Sequence, residues 1–400
     1  MHVLLISSWY GSDYSPGRNR FLHDQAVALK SAGMTARIMF PDLKPPRIAS
    51  LADVSRRRFQ SRFDVESGID TARYMGWSVI PAGVRNGLLK EWQWVRCGEL
   101  LARAYLVRHG RPDIIHAHTL IAGGALASVL ASRWTIPWVY TEHSVEWMEP
   151  DTAPLRVAYA KRVASSAAHG YAVSRALLAG MERYGVASAV PMSVMPNAID
   201  CEWFTLPPEP VRKDRAYRFV YVGNVNTILK RTDLLLRSFK SVAVRCQNAE
   251  LHVVGEGDER TQLQAMAETM GIGDRVVWHG YLQRQALRRV LWDADALVHP
   301  SRRETFGLAA AEALSTGLAV VAVASGGIED IVNAELCGLG CALVPVDGED
   351  ELAREMMRAV SNGPSSKETR QRRRDSIVRR FGMAGIAAGY ITRYYQILGF

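Results

Sequence analysis

The 400-residue chain is short of lysine, with 8 lysines among its 49 basic residues. Its five cysteines, at 97, 201, 246, 337 and 341, form no C-x2-C pair. An odd, scattered set excludes a disulfide framework and predicts reduced thiols in a cytoplasmic protein. No His/Cys/Asp cluster has ligand spacing, so no protein-ligated metal is expected. Long apolar runs are missing as well: the nearest, 120–131, is short, contains glycine and cannot span a bilayer. The opening residues Met1–Ser8 lack a basic n-region and run straight into Trp9 and Tyr10, so they read as a first strand rather than a signal peptide. Despite a net charge of +9 there is no nucleic-acid motif and no RNP-type aromatic run, and nucleic acid is not an expected partner.

What the chain does have is a globular composition, 48% hydrophobic and 22% charged, and length enough for two domains that each bury a core. Its charge is uneven. Between positions 43 and 63, Lys44, Arg47, Arg56, Arg57, Arg58 and Arg62 face only Asp53, and Trp77, Trp92 and Trp94 follow. That pattern fits contact with an anionic membrane surface, and it fits a solvated arginine face equally well.

Short β-branched runs alternate with amphipathic stretches along the chain, the pattern of parallel sheets wrapped by helices. In the first half, strands are expected at 3–8, 35–40, 114–117, 138–141, 169–173 and 193–195. Helices are expected there at 20–32, 88–109, 122–133, 155–168 and 175–184. Over 201–216 the pattern stops in Pro207, Pro208 and Pro210 and a charged run, which reads as a linker. It restarts with strands at 218–222, 250–254, 275–278, 296–299 and 318–323 and helices at 232–245, 258–270 and 283–291. A last helix, 383–398, carries Ile386, Tyr390, Tyr394 and Ile397 at helical spacing. Two open α/β halves of this kind place a ligand crevice at the carboxyl ends of the strands, between domains. The expected domains are 1–205 and 206–380, with 381–400 as a closing helix.

One stretch carries the most chemistry, Ser301-Arg302-Arg303-Glu304-Thr305-Phe306-Gly307-Leu308 and the small-residue helix after it, through Glu312. A Phe-Gly-Leu turn opening a helix leaves backbone N–H groups pointing forward, a seat for a diphosphate. Glu304 and Glu312 both line that seat if the first lies in the loop and the second on the helix. Carboxylates beside a phosphate repel it and suit hydroxyl groups instead, a sugar on one side and a ribose on the other. A nucleotide sugar satisfies both.

This stretch resembles the E-x7-E signature of family 4 glycosyltransferases, enzymes of the GT-B fold: α/β, two Rossmann-like doubly wound domains facing an interdomain cleft. The resemblance runs from Trp9 to Tyr395 with its motifs in order. It implies an N-terminal acceptor-binding domain, a C-terminal nucleotide-sugar-binding domain and a last helix crossing back to the first. Gly223-Asn224 followed by Lys230-Arg231 resembles the element in which a basic pair neutralises the donor diphosphate, where fixed cations stabilise charge gained by the leaving group. The family commonly has arginine at the position of Asn224, so Arg231 or a weaker clamp supplies the second charge here. Gly255-Glu256-Gly257 matches the second glycine turn, and Gly280-Tyr281 the place where the nucleobase is held. Pro112-Asp113-Ile114-Ile115-His116-Ala117-His118 resembles the D-x-x-H-x-H strand, whose second histidine contacts the transferred sugar. Alternation puts both histidines on one side of the strand, His118 nearer its end. Thr141-Glu142-His143-Ser144 resembles a T-E-H-S run, which makes Glu142 and His143 acceptor-side candidates, together with Gly17 and Arg18 in the first loop. Pro196-Asn197-Ala198-Ile199-Asp200 and Ser325-Gly326-Gly327 match a hinge element and a donor-pocket turn.

The resemblance implies a retaining, metal-independent transferase that needs no cofactor. It would move a sugar from a nucleotide sugar to a saccharide or lipid-linked acceptor in bacterial exopolysaccharide, lipopolysaccharide or glycolipid assembly, in the cytoplasm or on the inner membrane face. Two other readings stay open: a GT-B epimerase acting on the donor alone, and a sugar-binding or assembly protein without catalysis.

Overall fold

The computed structural model describes residues 1–11, 20–44, 58–78, 80, 87–208 and 215–400. Gly17, Arg18, Arg47, Asp53, Arg56, Arg57 and most of the charged linker lie outside the described residues. The chain forms two compact units. Unit 1 comprises Met1–Val173, Leu177–Ala198 and Met383–Phe400; unit 2 comprises Ser174–Ala176 and Ile199–Gly382. From the sequence the corresponding boundaries are expected at 205 and 380.

Unit 1 is built on an eight-stranded sheet: β1 (His2–Ser7), β2 (Thr35–Lys44), β3 (Gln60–Glu66), β4 (Ile69–Trp77), β5 (Ile114–His118), β6 (Trp138–Glu142), β7 (His169–Ala172) and β8 (Met192–Val194). Their order is β3-β4-β2-β1-β5-β6-β7-β8, and every pairing is parallel except β3 with β4. Strands covered on both faces read as apolar runs, and Val3–Ile6 and Ile114–Ile115 are fully buried. Ile386, Tyr390 and Tyr394 of the final helix, Met383–Leu398, enter this core beside Leu5, Leu22 and Ile38, which accounts for their helical spacing.

The β3–β4 hairpin is absent from the sequence-based strand assignment, which takes the arginine-rich stretch as a loop or helix. The hairpin turns on Ser67 and Gly68, both with positive φ (47° and 86°), the geometry of a two-residue turn that follows the twist of its strands. Of the basic patch, three members, Lys44, Arg58 and Arg62, lie among the described residues. Lys44 is 3% exposed at the end of β2, and Arg62 on β3 pairs with Asp64 at 2.7 Å.

Unit 2 is built on a six-stranded parallel sheet: β9 (Tyr217–Val222), β10 (Ala249–Val254), β11 (Val276–Gly280), β12 (Ala296–His299), β13 (Ala319–Val323) and β14 (Ala342–Val344), ordered β11-β10-β9-β12-β13-β14. It opens and closes on a bridge between Ile199 and Gly382. Unassigned from the sequence are β14 and the helices Glu349–Asn362 and Lys367–Phe381. The second of these helices looks like a solvated basic face, yet Arg370 and Arg373 are buried. They donate to the carbonyl oxygens of Ala294 (3.0 Å), Leu339 (2.9 Å) and Gly317 (3.0 Å). Long aliphatic stems and carbonyl acceptors let arginine serve as core.

Among the parallel strands of each unit the order reverses at one point, between β1 and β5 in unit 1 and between β9 and β12 in unit 2. Parallel α/β sheets hold ligands at the carboxyl ends of the strands flanking such a point. Among the described residues no helix is long and apolar enough to cross a membrane.

Candidate active site

In unit 2 the reversal point gathers the loops after β9 and β12. Asn226 shapes the first: its Oδ1 accepts the N–H groups of Leu229 (3.0 Å) and Lys230 (2.9 Å), which fixes the turn that presents Lys230. The second is pinned to the loop after β13, Glu304 N–H donating to Ser325 O (2.9 Å) and Gly327 N–H to Glu304 O (2.7 Å). Gly327 has a steric reason to be glycine, because a Cβ there would collide with the Thr305 carbonyl. Glu304 therefore sits in a rigid loop, and Gly307, at φ 104°, opens the helix Leu308–Ser315.

Lys230 Nζ and Glu304 Oε2 lie 2.7 Å apart, and His299 Nε2 is 3.3 Å from the same oxygen. Burial by itself pushes the Glu304 carboxyl up, but Lys230 and His299 outweigh it and hold the acid far below the usual carboxylate range. The group is a permanent anion with one oxygen committed to Lys230 and His299. Beside it, His299 Nδ1 and the hydroxyls of Ser301 and Ser325 are buried without a hydrogen-bond partner. Buried polar atoms are normally satisfied, so such a set at a strand-end crevice marks where a polar ligand or water completes the bonding.

The other donor-side candidates are placed as follows. Arg231 takes a left-handed conformation (φ 50°) and its guanidinium is engaged by Asp233 (3.2 Å) and Asp347, so its charge is already countered. Asn224 is exposed. Gly255 (φ 140°) and Gly257 lie against the loop after β9, where a Cβ would meet the carbonyl oxygens of Gly223 and Val225. The spacing of that G-x-G thus has a packing cause, the close approach of two backbones. Glu312 is half-buried on the helix Leu308–Ser315, as is Leu308, whereas the Phe306 ring is core, edge-on to Phe381 at 5.5 Å. Tyr281 is exposed.

In unit 1 the candidates converge at the ends of β5 and β6. His118 Nδ1 and His143 Nε2 are 2.9 Å apart, the Phe21 ring lies tilted against His143 at 4.3 Å, and His118 Nε2 is buried without a partner. His116, one alternation earlier, is instead a core residue, bonded to Thr141 Oγ1 (2.7 Å) and Tyr394 OH (2.5 Å). Burial keeps all three imidazoles neutral, with His116 and His143 lowered to about 3 and His118 well below its ordinary value. Sequence reasoning passed over Ser8, His299 and Tyr221. The Tyr221 hydroxyl donates to Asn224 O at 2.6 Å and so shapes the glycine turn.

Residues 17–203 match the family model described as Glycosyltransferase Family 4, and residues 205–376 the model described as Glycosyl transferases group 1. The chain belongs to glycosyltransferase family 4. A D-inositol 3-phosphate glycosyltransferase of Xylanimonas cellulosilytica is 28% identical to it over 363 residues, 83% of each chain. Among solved structures, sucrose-phosphate synthase from Thermosynechococcus elongatus superposes with a TM-score of 0.79 at 19% identity, over 100% of both chains. The Anabaena protein HepE in complex with UDP-glucose gives 0.69 at 17% identity, over 98% of this chain and 100% of that one. These likenesses show the fold, GT-B, with two Rossmann-like units. The glycosyltransferase thus carries the Lys230–Glu304 pair at the reversal point of its second unit.

Proposed function

We infer that this glycosyltransferase moves a sugar from a nucleotide sugar to a saccharide or lipid-linked acceptor, with retention of anomeric configuration and without a divalent metal. The observation that carries the reading is the partly buried Lys230–Glu304 pair beside buried polar atoms that lack partners, at the reversal point of unit 2. Glu304 accepts hydrogen bonds from sugar hydroxyls through the oxygen that Lys230 leaves open. Lys230 and the backbone amides opening the helix Leu308–Ser315 neutralise the diphosphate, and Glu312 binds the ribose. His118 contacts the transferred sugar. The acceptor hydroxyl attacks the anomeric carbon on the face the diphosphate leaves; the new C–O bond forms as the C–O(phosphate) bond breaks. The proton passes to the departing phosphate oxygen, so no separate carboxylate base is required. The name of the inositol-phosphate glycosyltransferase relative is in keeping with this chemistry. The test is proton NMR of donor turnover in EDTA. An α-linked donor should give an α-linked product, whereas an inverted product, or activity only with added magnesium or manganese, contradicts the reading.

A lipid-linked acceptor calls for a membrane face, and the helix Gly87–His109 supports one in exopolysaccharide, lipopolysaccharide or glycolipid assembly. Its outer stripe holds Leu89, Trp92 (64% exposed), Leu100 and Val107 (91% exposed), interleaved with Arg96 and Arg103. Its two acids, Glu91 and Glu99, are buried and paired with arginines. Apolar and tryptophan side chains among cations suit the interface of an anionic bilayer. Changing Trp92, Leu100 and Val107 to Ser is expected to abolish co-sedimentation with anionic liposomes at low salt. Equal binding by variant and wild type would remove this face from the account.

A further inference from the structure

We propose that Glu142 is a positioning residue: its carboxylate holds the loops after β5 and β6 in the one geometry that pairs His118 with His143. The inference deepens the functional reading, because it rests on His118 serving transfer.

Glu142 ends β6, is 1% exposed, and spends its carboxylate on backbone. Oε1 accepts the N–H groups of His143 and Ser144, each at 2.8 Å, and Oε2 accepts the N–H of Leu120 at 2.9 Å. One side chain thus ties the residue next to His143 to the loop that follows His118. That loop does not rest in an ordinary conformation. Thr119 has φ 68° and ψ 143°, and Ala122 has φ 67° and ψ −70°, regions that L-residues avoid and β-branched residues most of all. Such a backbone persists only where its surroundings hold it. Ser8, at the end of β1, is the second tie: its Oγ accepts the Gly123 N–H (2.8 Å) and donates to Ile121 O (2.5 Å). Gly123 is folded so tightly onto the strand end that a Cβ would lie 2.8 Å from His118 O. The loops after β5 and β6 are therefore fastened by Ser8 and Glu142, and the histidine pair stands on them.

Three N–H donors shared between two oxygens suit an ionised carboxylate best. An amide turns its NH2 toward one of them and loses that tie, and protonation weakens the bond at the oxygen that takes the proton. Burial pushes the Glu142 carboxyl up to about 7, against the three N–H groups that pull it down. The titratable and charged groups around it are Glu146, itself paired with Arg156, and the neutral imidazoles of His116, His118 and His143. Protonation of Glu142 is thus within reach near neutrality, and the loops should loosen when it occurs.

The experiment is Glu142→Gln against wild type, read by NMR of the imidazole N–H shared by His118 and His143 and by the pH dependence of kcat. In wild type this N–H should be protected from solvent exchange a pH unit above the Glu142 titration and unprotected a unit below it. Wild-type kcat should fall over the same range. In Glu142→Gln the protected N–H should be missing at both pH values, and kcat should drop about 100-fold, the scale of an ångström of misplacement, with no acid limb left. Donor KM should stay unchanged. A protected N–H retained in Glu142→Gln, or an acid limb that survives the substitution, overturns the proposal. Should the variant fail to fold, the wild-type N–H protection against pH decides alone. If wild type turns over no nucleotide sugar, the functional reading fails, while the positioning of the histidine pair still stands or falls on the N–H signal.

Discussion

Replacing Glu304 with glutamine is expected to slow transfer about 10²–10³-fold while leaving the glycosyltransferase folded. The side chain sits in a loop pinned at Ser325 and Gly327, and the amide has the same shape, so the backbone has no cause to move. What disappears is charge. Glu304 holds a full negative charge at every working pH because Lys230 and His299 crowd one of its oxygens. The amide offers the sugar hydroxyls a weaker acceptor, since bonds to ionised groups are about twice as strong as neutral ones. It also releases Lys230 from its position. Losing one preorganised electrostatic contact at a reacting centre costs about 10²–10³ in kcat. Lys230 keeps some contact with solvent, so the uncompensated charge can hydrate and the stability cost stays small. Initial rates with the cognate donor, beside a circular-dichroism melt, check both halves; near-normal turnover would remove Glu304 from the site.

Acid should weaken unit 1 steeply between about pH 6.5 and 5. His116, His118 and His143 all have folded pKa values lowered from 6.5 by burial. They are neutral in the fold and protonate in the unfolded chain, so the stability they allow is complete above 6.5 and is lost as pH falls from there toward their folded values. Each such group costs about 1.4 kcal/mol per pH unit in that window, or about 4 kcal/mol per unit for the set. Glu142 acts in the opposite sense. Its folded pKa is raised from 4.5 to about 7, so it is protonated in the fold while still ionised in the unfolded chain. Between those values it returns about 1.4 kcal/mol per unit, leaving a net loss of about 3 kcal/mol per pH unit. Hydrogen exchange of the β5 and β6 amides, corrected for the intrinsic pH dependence, measures this directly. Protection that stays constant from pH 7 to 5 would mean that the imidazoles are not held neutral.

Much of the architecture is legible in the sequence because buried parallel strands are β-branched runs and the helices between them are amphipathic. Val3–Ile6 and Ala319–Val323 could hardly be anything else. The β3–β4 hairpin escaped because its edge strand is largely polar and follows an arginine run, although Ser67-Gly68 between two alternating runs is a turn signal. The helix Lys367–Phe381 escaped because composition cannot tell a solvated arginine from Arg373, whose guanidinium finds carbonyl oxygens inside the unit. Within the site, the glutamates and Lys230 stand out by residue type and spacing. His299 does not, since nothing local distinguishes it from an ordinary strand-end histidine; only the fold brings it to Glu304. The glycines at 255 and 257 were legible as a turn, but their cause, the backbone of Gly223 and Val225 pressed against them, is a tertiary fact.

The account depends most on unit 2 seating a nucleotide sugar at the carboxyl ends of β9 and β12. The direct test is calorimetric titration of the full-length protein, in EDTA, with a panel of UDP-, GDP-, ADP- and TDP-sugars, repeated on Lys230→Gln. The account predicts that one nucleotide sugar binds wild type without metal and binds Lys230→Gln at least about tenfold more weakly, a loss of about 1.4 kcal/mol. No binding by any nucleotide sugar, or equal affinity for wild type and Lys230→Gln, would contradict it.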